Sequence, residues 1–130
     1  MSDKSTLSQF GHVFQSKIIS SLLSDKKFIQ TICDILEPEY FDSDANKWLA
    51  KEIRDYFFEY KTSPTLEVMK VKIDDMENDV LQVSVVENLK ESWRNVNSTD
   101  LPFVQEQTLE FCKNQVMKNA IMDSVDLIEV

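Results

Sequence analysis

A chain of 130 residues with 42% hydrophobic and 28% charged side chains is large enough to bury a core and too apolar to be disordered. One Gly and three Pro leave few tight hairpin turns, which argues against an all-β fold and for helices joined by short polar loops. The formal charge of −9 is unevenly spread: four Lys against three acids over residues 1–36 (+1), eight cations against fifteen acids over 37–100 (−7), and two against five over 101–130 (−3).

Residues 1–9 are polar and are expected to fray. A first helix is predicted from Gly11 to Leu23, because Phe10, Phe14, Ile18 and Leu22 recur every fourth residue with Ile19 and Leu23 beside them. Ser24-Asp25 breaks it and caps a second helix bearing Phe28, Ile29, Ile32, Cys33 and Leu36. Pro38 ends that helix by disfavouring helical backbone at Glu37, and Tyr40 and Phe41 tuck the next loop against the core. Asp42-Ser43-Asp44 is an N-cap cluster for a third helix over 45–60, whose inner face is read as Ala45, Leu49, Ile53, Tyr56, Phe57 and Tyr60. Trp48 and Phe58 lie off that arc. Phe58 falls among Lys51, Arg54 and Asp55, where a helix buried on two sides is the plainer explanation and a protein-binding role the sharper one.

Ser63-Pro64-Thr65 opens a short fourth helix with Leu66, Met69 and Ile73 facing inward. The acidic run 74–79 reads as a loop. A fifth helix extends to about Trp93 through Leu81, Val85, Val86 and Leu89, although Val83-Ser84-Val85 alone would pass for a strand. Asn97-Ser98-Thr99-Asp100 then supplies capping side chains, with Pro102 in the first turn of a last helix that no Gly or Pro interrupts before Val130. At 1.5 Å per residue that helix spans on the order of 40 Å, against a radius of gyration of about 13 Å for a hundred-residue domain. It should therefore project. Val116, Met117, Ala120, Ile121, Ser124, Val125 and Ile128 cover about half of its circumference, and Lys118, Asn119, Asp123, Asp126 and Glu129 take the other side. Such a face needs a partner, and the chain is expected to be a piece of a longer protein. Met117, Ile121, Val125 and Ile128, with Phe58, are the candidate protein-interface residues.

Little in the sequence points to catalysis. Phosphate-binding loops need at least two glycines for close backbone approach, and only Gly11 is present. His12 is the sole histidine and no GxSxG turn presents a serine, so a hydrolytic triad has no support. One His with two dispersed Cys offers no zinc set. The 74–79 run lacks the central Gly and the ligand spacing of a calcium loop. Glu37 and Glu39 have no pocket-forming context. Cys33 and Cys112, far apart and in apolar helical contexts, read as buried reduced thiols. No signal segment and no membrane-length apolar run is evident, and Asn97-Ser98-Thr99 reads as capping rather than as a glycan acceptor. No bound cofactor, metal, small-molecule substrate or membrane is expected.

Gln15 to Leu23 followed by Asp25, then Leu36-Glu37-Pro38-Glu39-Tyr40-Phe41, then Trp48, Ile53, Tyr56 and Tyr60 before Pro64-Thr65, resembles the N-terminal domain of DnaB-type replicative helicases. Phe111-Cys112-Lys113-Asn114-Gln115 and Asp123-Ser124-Val125-Asp126-Leu127 are most similar to the helicases of T-even-type phages and their marine relatives. The resemblance covers nearly the whole chain. It implies an all-α fold in two parts: a head of about five helices (residues 1–99) and, over 100–130, the first arm of a helical hairpin. The second arm, the linker and the ATPase motor with its ATP and magnesium lie outside this chain, so no catalytic or DNA-contacting residue carries over.

The expected role is a non-catalytic collar domain of a hexameric ring in the cytoplasm of an infected host cell. Its partners would be further copies of itself, primase and other replisome proteins. The other class of reading is a free-standing acidic helical adaptor that binds a basic protein. On either reading the purified chain should hydrolyse no ATP and should not retard single-stranded DNA near physiological ionic strength, because it lacks a phosphate loop and its acids oppose a polyanion. A salt-sensitive mobility shift at low micromolar protein would contradict this.

Overall fold

A computed structural model describes residues 6–128, with side chains given through Asp123. It contains six α-helices: α1 (Gly11–Ser24), α2 (Lys26–Ile32), α3 (Asp44–Tyr60), α4 (Leu66–Asp74), α5 (Asp79–Arg94) and α6 (Leu101–Ile128). Single 3-10 turns lie at Leu7–Phe10 and Pro38–Tyr40, and no strand occurs among the described residues. The fold is all-α, a helical head followed by one long helix.

Side-chain caps start four of the helices. The Asp25 carboxylate accepts from the Lys27 and Phe28 amides (3.0 and 3.2 Å), Ser43 from Asn46 (3.1 Å), Thr65 from Val68 (3.2 Å) and Asn78 from Leu81 (3.0 Å). Each satisfies backbone donors that have no partner inside the helix. At the head of α6 the Asp100 carboxylate instead takes Lys17 Nζ at 2.7 Å, tying α6 to α1. α3 closes at Lys61, whose backbone is left-handed (φ 61°) and whose amide donates to the Phe57 carbonyl at 2.7 Å.

α1 is the central helix, packed against α2, α3, α5 and α6. Ile18, Ile19 and Leu22 supply its apolar contacts, but Ser16, Ser20 and Ser21 are equally buried. The Ser20 hydroxyl bonds the Ser16 carbonyl (2.9 Å) and the Ser92 carbonyl of α5, and Gln105 of α6 donates to Ser21 Oγ at 3.2 Å. Small side chains here let two further helices close on α1. Buried Gln15 reaches the other way: its amide nitrogen donates to the Leu7 and Gly11 carbonyls and to Asp42 (3.3, 3.2 and 2.9 Å), while its oxygen accepts from the Asp42 amide at 3.0 Å. Hydrogen bonds from Ser8 and then Gln15 hold the Asp42 carboxyl below its ordinary pKa.

Three expectations need correction. Residues 6–9 are not frayed: Thr6 caps the 3-10 turn, Leu7 is fully buried, and Gly11 (φ 84°) turns the chain into α1 with a backbone that favours glycine. α2 ends at Ile32, before Cys33 and Leu36, which remain buried in the connection to the Pro38 turn. Tyr60 is exposed, its ring tilted against that of Tyr56 (4.5 Å) rather than joining the inner face of α3. Val83-Ser84-Val85 is helical within α5, as the fifth-helix reading has it.

The facing of α3 gives a direct test. Phe57 is 6% exposed beside Ile53 and Leu49, whereas Phe58 is 43% exposed. Phe57→Ala should cost about 3–5 kcal/mol through lost burial and a residual cavity, and Phe58→Ala clearly less. Equal losses in urea melts of the two variants would contradict this packing.

Candidate protein-interaction surfaces

α6 changes character at Gln115. Leu101, Val104, Thr108, Phe111, Cys112 and Gln115 are buried and fall on one helical stripe against α1 and α2. Phe111 is held most firmly, edge-on to Phe10 (6.2 Å) and Tyr40 (5.3 Å), with Phe10 stacked on Phe14 at 4.4 Å. From Val116 to Asp123 every side chain is exposed. Met117 is 64% and Ile121 58% exposed, with Val116 and Met122 similarly open. The helical backbone continues to Ile128, so the arm extends about 20 Å beyond Gln115. Met117 and Ile121, one turn apart, lie on one face of it. The side chains of Val125 and Ile128 lie outside the described residues.

Phe58 is on a different surface. α3 packs on α1, α5 and the Pro38–Tyr40 turn, and the structure does not bring Phe58 to the arm's Met117–Ile121 face. Around it Lys51 pairs with Asp55 (3.0 Å) and Arg54 with Glu37 (3.5 Å), and Lys61 Nζ caps the Phe58 carbonyl at 2.8 Å. Phe58 is thus a single exposed ring among paired charges, and exposed pairs of this kind contribute little to stability.

A third surface has no counterpart in the sequence reading. Between α4 and α5 runs an open groove of about 480 Å³, floored by Leu66, Ile73, Val86, Leu89 and Trp93. Lys70, Lys90, Arg94 and Asp74 complete its lining. Trp93 is 41% exposed, large for an indole set among apolar neighbours. The groove exists because α4 is short and buries only Met69 and Ile73; it is fastened to α5 by a Gln82 side-chain bond to the Ile73 carbonyl (2.8 Å) and to α3 by the Lys72–Glu52 pair (3.3 Å). The spacing Val86, Lys90, Arg94 beside Leu89, Trp93 on α5 is the trace it leaves in the sequence.

The groups considered for chemistry sit elsewhere. His12 is exposed, its Nε2 2.9 Å from a Glu91 oxygen, and links α1 to α5. Among the described residues no three His, Cys, Asp or Glu side chains are grouped to hold a metal ion, and no helix is long and apolar enough to cross a membrane. Cys33 and Cys112 are both buried and free. Burial, then the charge of Glu37, pushes the Cys112 thiol up to about 12; burial, then Asp34, raises Cys33. The thiolate is the reactive form, so burial makes Cys112 a poor nucleophile at pH 8.

Two outcomes follow for Cys112. Native protein at pH 8 should label slowly with a thiol reagent, Cys112 more slowly than Cys33, and both at once in denaturant. The unfolded thiol ionises near 9.0 and the folded one only near 12, so its contribution to stability is complete below pH 9 and is lost as pH rises toward 12. Cys112→Ala should flatten the alkaline limb of a stability–pH curve; an unchanged limb, or rapid native labelling of Cys112, would contradict the burial.

No protein-family model, curated protein or solved structure matches the chain.

Proposed function

We propose that this chain is the non-catalytic collar domain of a hexameric replicative DNA helicase, acting in ring assembly and in docking primase or other replisome proteins during phage DNA replication. The observation that supports it best is the arm: a helix rooted in the head through Phe111 and Cys112 that then carries Val116, Met117, Ile121 and Met122 into solvent. Removing apolar surface from water gains roughly 25 cal/mol per Å², so leaving these side chains bare forgoes several kcal/mol. An arm that is to pair within an assembly has a reason to carry that cost. On this reading ATP and magnesium belong to the motor and not to this domain, and the site of action is the cytoplasm of the infected cell.

The isolated chain should associate in a concentration-dependent way, and Met117→Glu with Ile121→Glu should abolish association while the head stays folded. Multi-angle light scattering with circular dichroism decides it: a parent that stays monomeric into the high micromolar range, with α6 ordered, would sink the assembly role. The helicase assignment has its own check. A GxxxxGK[ST] motif in frame within a few hundred codons downstream of Val130 supports it, and a stop codon there favours an acidic adaptor instead.

A further inference from the structure

We propose that the α4–α5 groove docks an acidic amphipathic helix of a partner protein, one that carries an apolar stripe with carboxylates along its borders. The inference rests on the docking half of the function proposed above and names the chemistry of what is docked. Three cations, Lys70, Lys90 and Arg94, line the apolar floor against one acid, Asp74. None of the three takes part in an ion pair among the described residues, whereas Lys17, Lys51, Arg54 and Lys72 do. Lys90 and Arg94 stand one turn apart on α5, where like charges oppose each other. Arg94, in the last turn, gains from the negative end of the helix; Lys90 has no such compensation. In a chain of net charge −9 this is positive charge gathered around an uncovered apolar surface.

The shape of the groove favours a helix over a compact ligand. Its α5 wall is one stripe of successive turns, Val86, Leu89, Lys90 and Trp93, and the depression continues at one end to exposed Val83 and at the other past Trp93 to Pro64. From Val83 to Trp93 the rise along α5 is about 15 Å, the length of a helix of about three turns. Such a helix, laid beside α4 and α5, would cover Val83, Val86 and Trp93 with its apolar stripe and bring its carboxylates to the cations. The charge is not uniform along the trough: Glu67 answers Lys26 at the Pro64 end, and Glu87 adds an acid at the Val83 end. The positive excess lies in the middle, so the ligand's acids belong midway along its borders. A basic partner would meet the wrong sign here, although residues 37–100 carry −7 in all. A strand of DNA would reach past these three cations onto a surface where acids predominate.

Half-exposed Trp93 is the reporter. Trp48→Phe leaves it the only indole in the full 130-residue chain, and circular dichroism checks that the fold is kept. The probe is a synthetic peptide of about 15 residues, free of Trp and Tyr, with Leu on one helical stripe and Glu on its borders. Titration should move the Trp93 emission to the blue and saturate, and added salt should weaken binding. Lys90 and Arg94 are exposed, so K90Q/R94Q should fold as the parent does and bind on the order of tenfold more weakly. If Trp48→Phe disturbs the fold, anisotropy of the labelled peptide on the unaltered chain makes the same comparison. The proposal is overturned if no saturable binding occurs or if K90Q/R94Q leaves it unchanged. Equal binding of a peptide with Lys in place of Glu, or of one with the apolar stripe scrambled, overturns it as well. So does an oligothymidylate that shifts Trp93 more tightly than the peptide, which would make the groove a nucleic-acid site. Assembly through α6 and the downstream reading frame are tested separately, so the groove can fail while the collar role stands, and the reverse.

Discussion

Serines at 16, 20 and 21 allow α1 to be enclosed from several directions, and the rest of the molecule follows from that enclosure. A helix buried all round is usually lined by large aliphatic side chains, which hold neighbours 8–10 Å apart. Here Ser20 faces α5 and Ser21 faces α6. Two of the three hydroxyls are engaged at the contact, Ser20 with a backbone carbonyl of α5 and Ser21 with a glutamine of α6, while Ser16 Oγ is buried without a hydrogen-bond partner among the described residues. Polar groups taken out of water in this way hold position by direction as well as by packing. α6 thus enters the head along a line set by α1, and Lys17–Asp100 ties its first residue to the same helix.

That line fixes where the arm goes. An α-helix satisfies its own backbone hydrogen bonds, so it can leave a domain without a partner for its main chain; only its side chains register the loss. The last side chain gripped by an aromatic cluster is Phe111, which joins the N-terminal turn through Phe10 and the Pro38 turn through Tyr40. One turn later Gln115 is still buried, and Val116 is not. The N-terminal turn, read as a loose end from its polarity, is therefore part of the arm's socket.

Most of the helical framework was legible in the residues. Asp25, Ser43 and Thr65 cap where their side-chain chemistry says they should, and the fourfold spacing of Leu49, Ile53 and Phe57 puts them in the core. The misreadings share a cause. Hydrophobic periodicity sees large apolar side chains, so it overlooked Ser16, Ser20 and Gln15, whose burial depends on size or hydrogen bonding, and it drew Tyr60 inward although its ring sits at the helix end beside Tyr56. Leu7 stood alone among polar neighbours and offered no period at all. The groove was invisible for another reason: Lys70 lies on a helix of nine residues and Lys90 and Arg94 on the next, and only the thin α4–α5 contact brings them round a common floor. Phe58 was legible because it departs from the inner arc of α3, and Met117 because it lies on an apolar arc that the head does not cover.

The two apolar surfaces left open by the fold differ in what assemblies they permit. A pair of identical arms packed antiparallel is an isologous contact, and it stops at two copies. A contact between unlike surfaces does not stop: it closes into a ring when the rotation between neighbours divides a full turn, and otherwise extends as a helix of subunits. A six-membered ring needs either a contact of the second kind or two different isologous contacts alternating around it. The arm and the groove are unlike surfaces, one carried by α6 and the other lying between α4 and α5. A domain that presents two distinct uncovered surfaces, Met117–Ile121 on the arm and the Trp93 groove, can supply more than one kind of contact to an assembly.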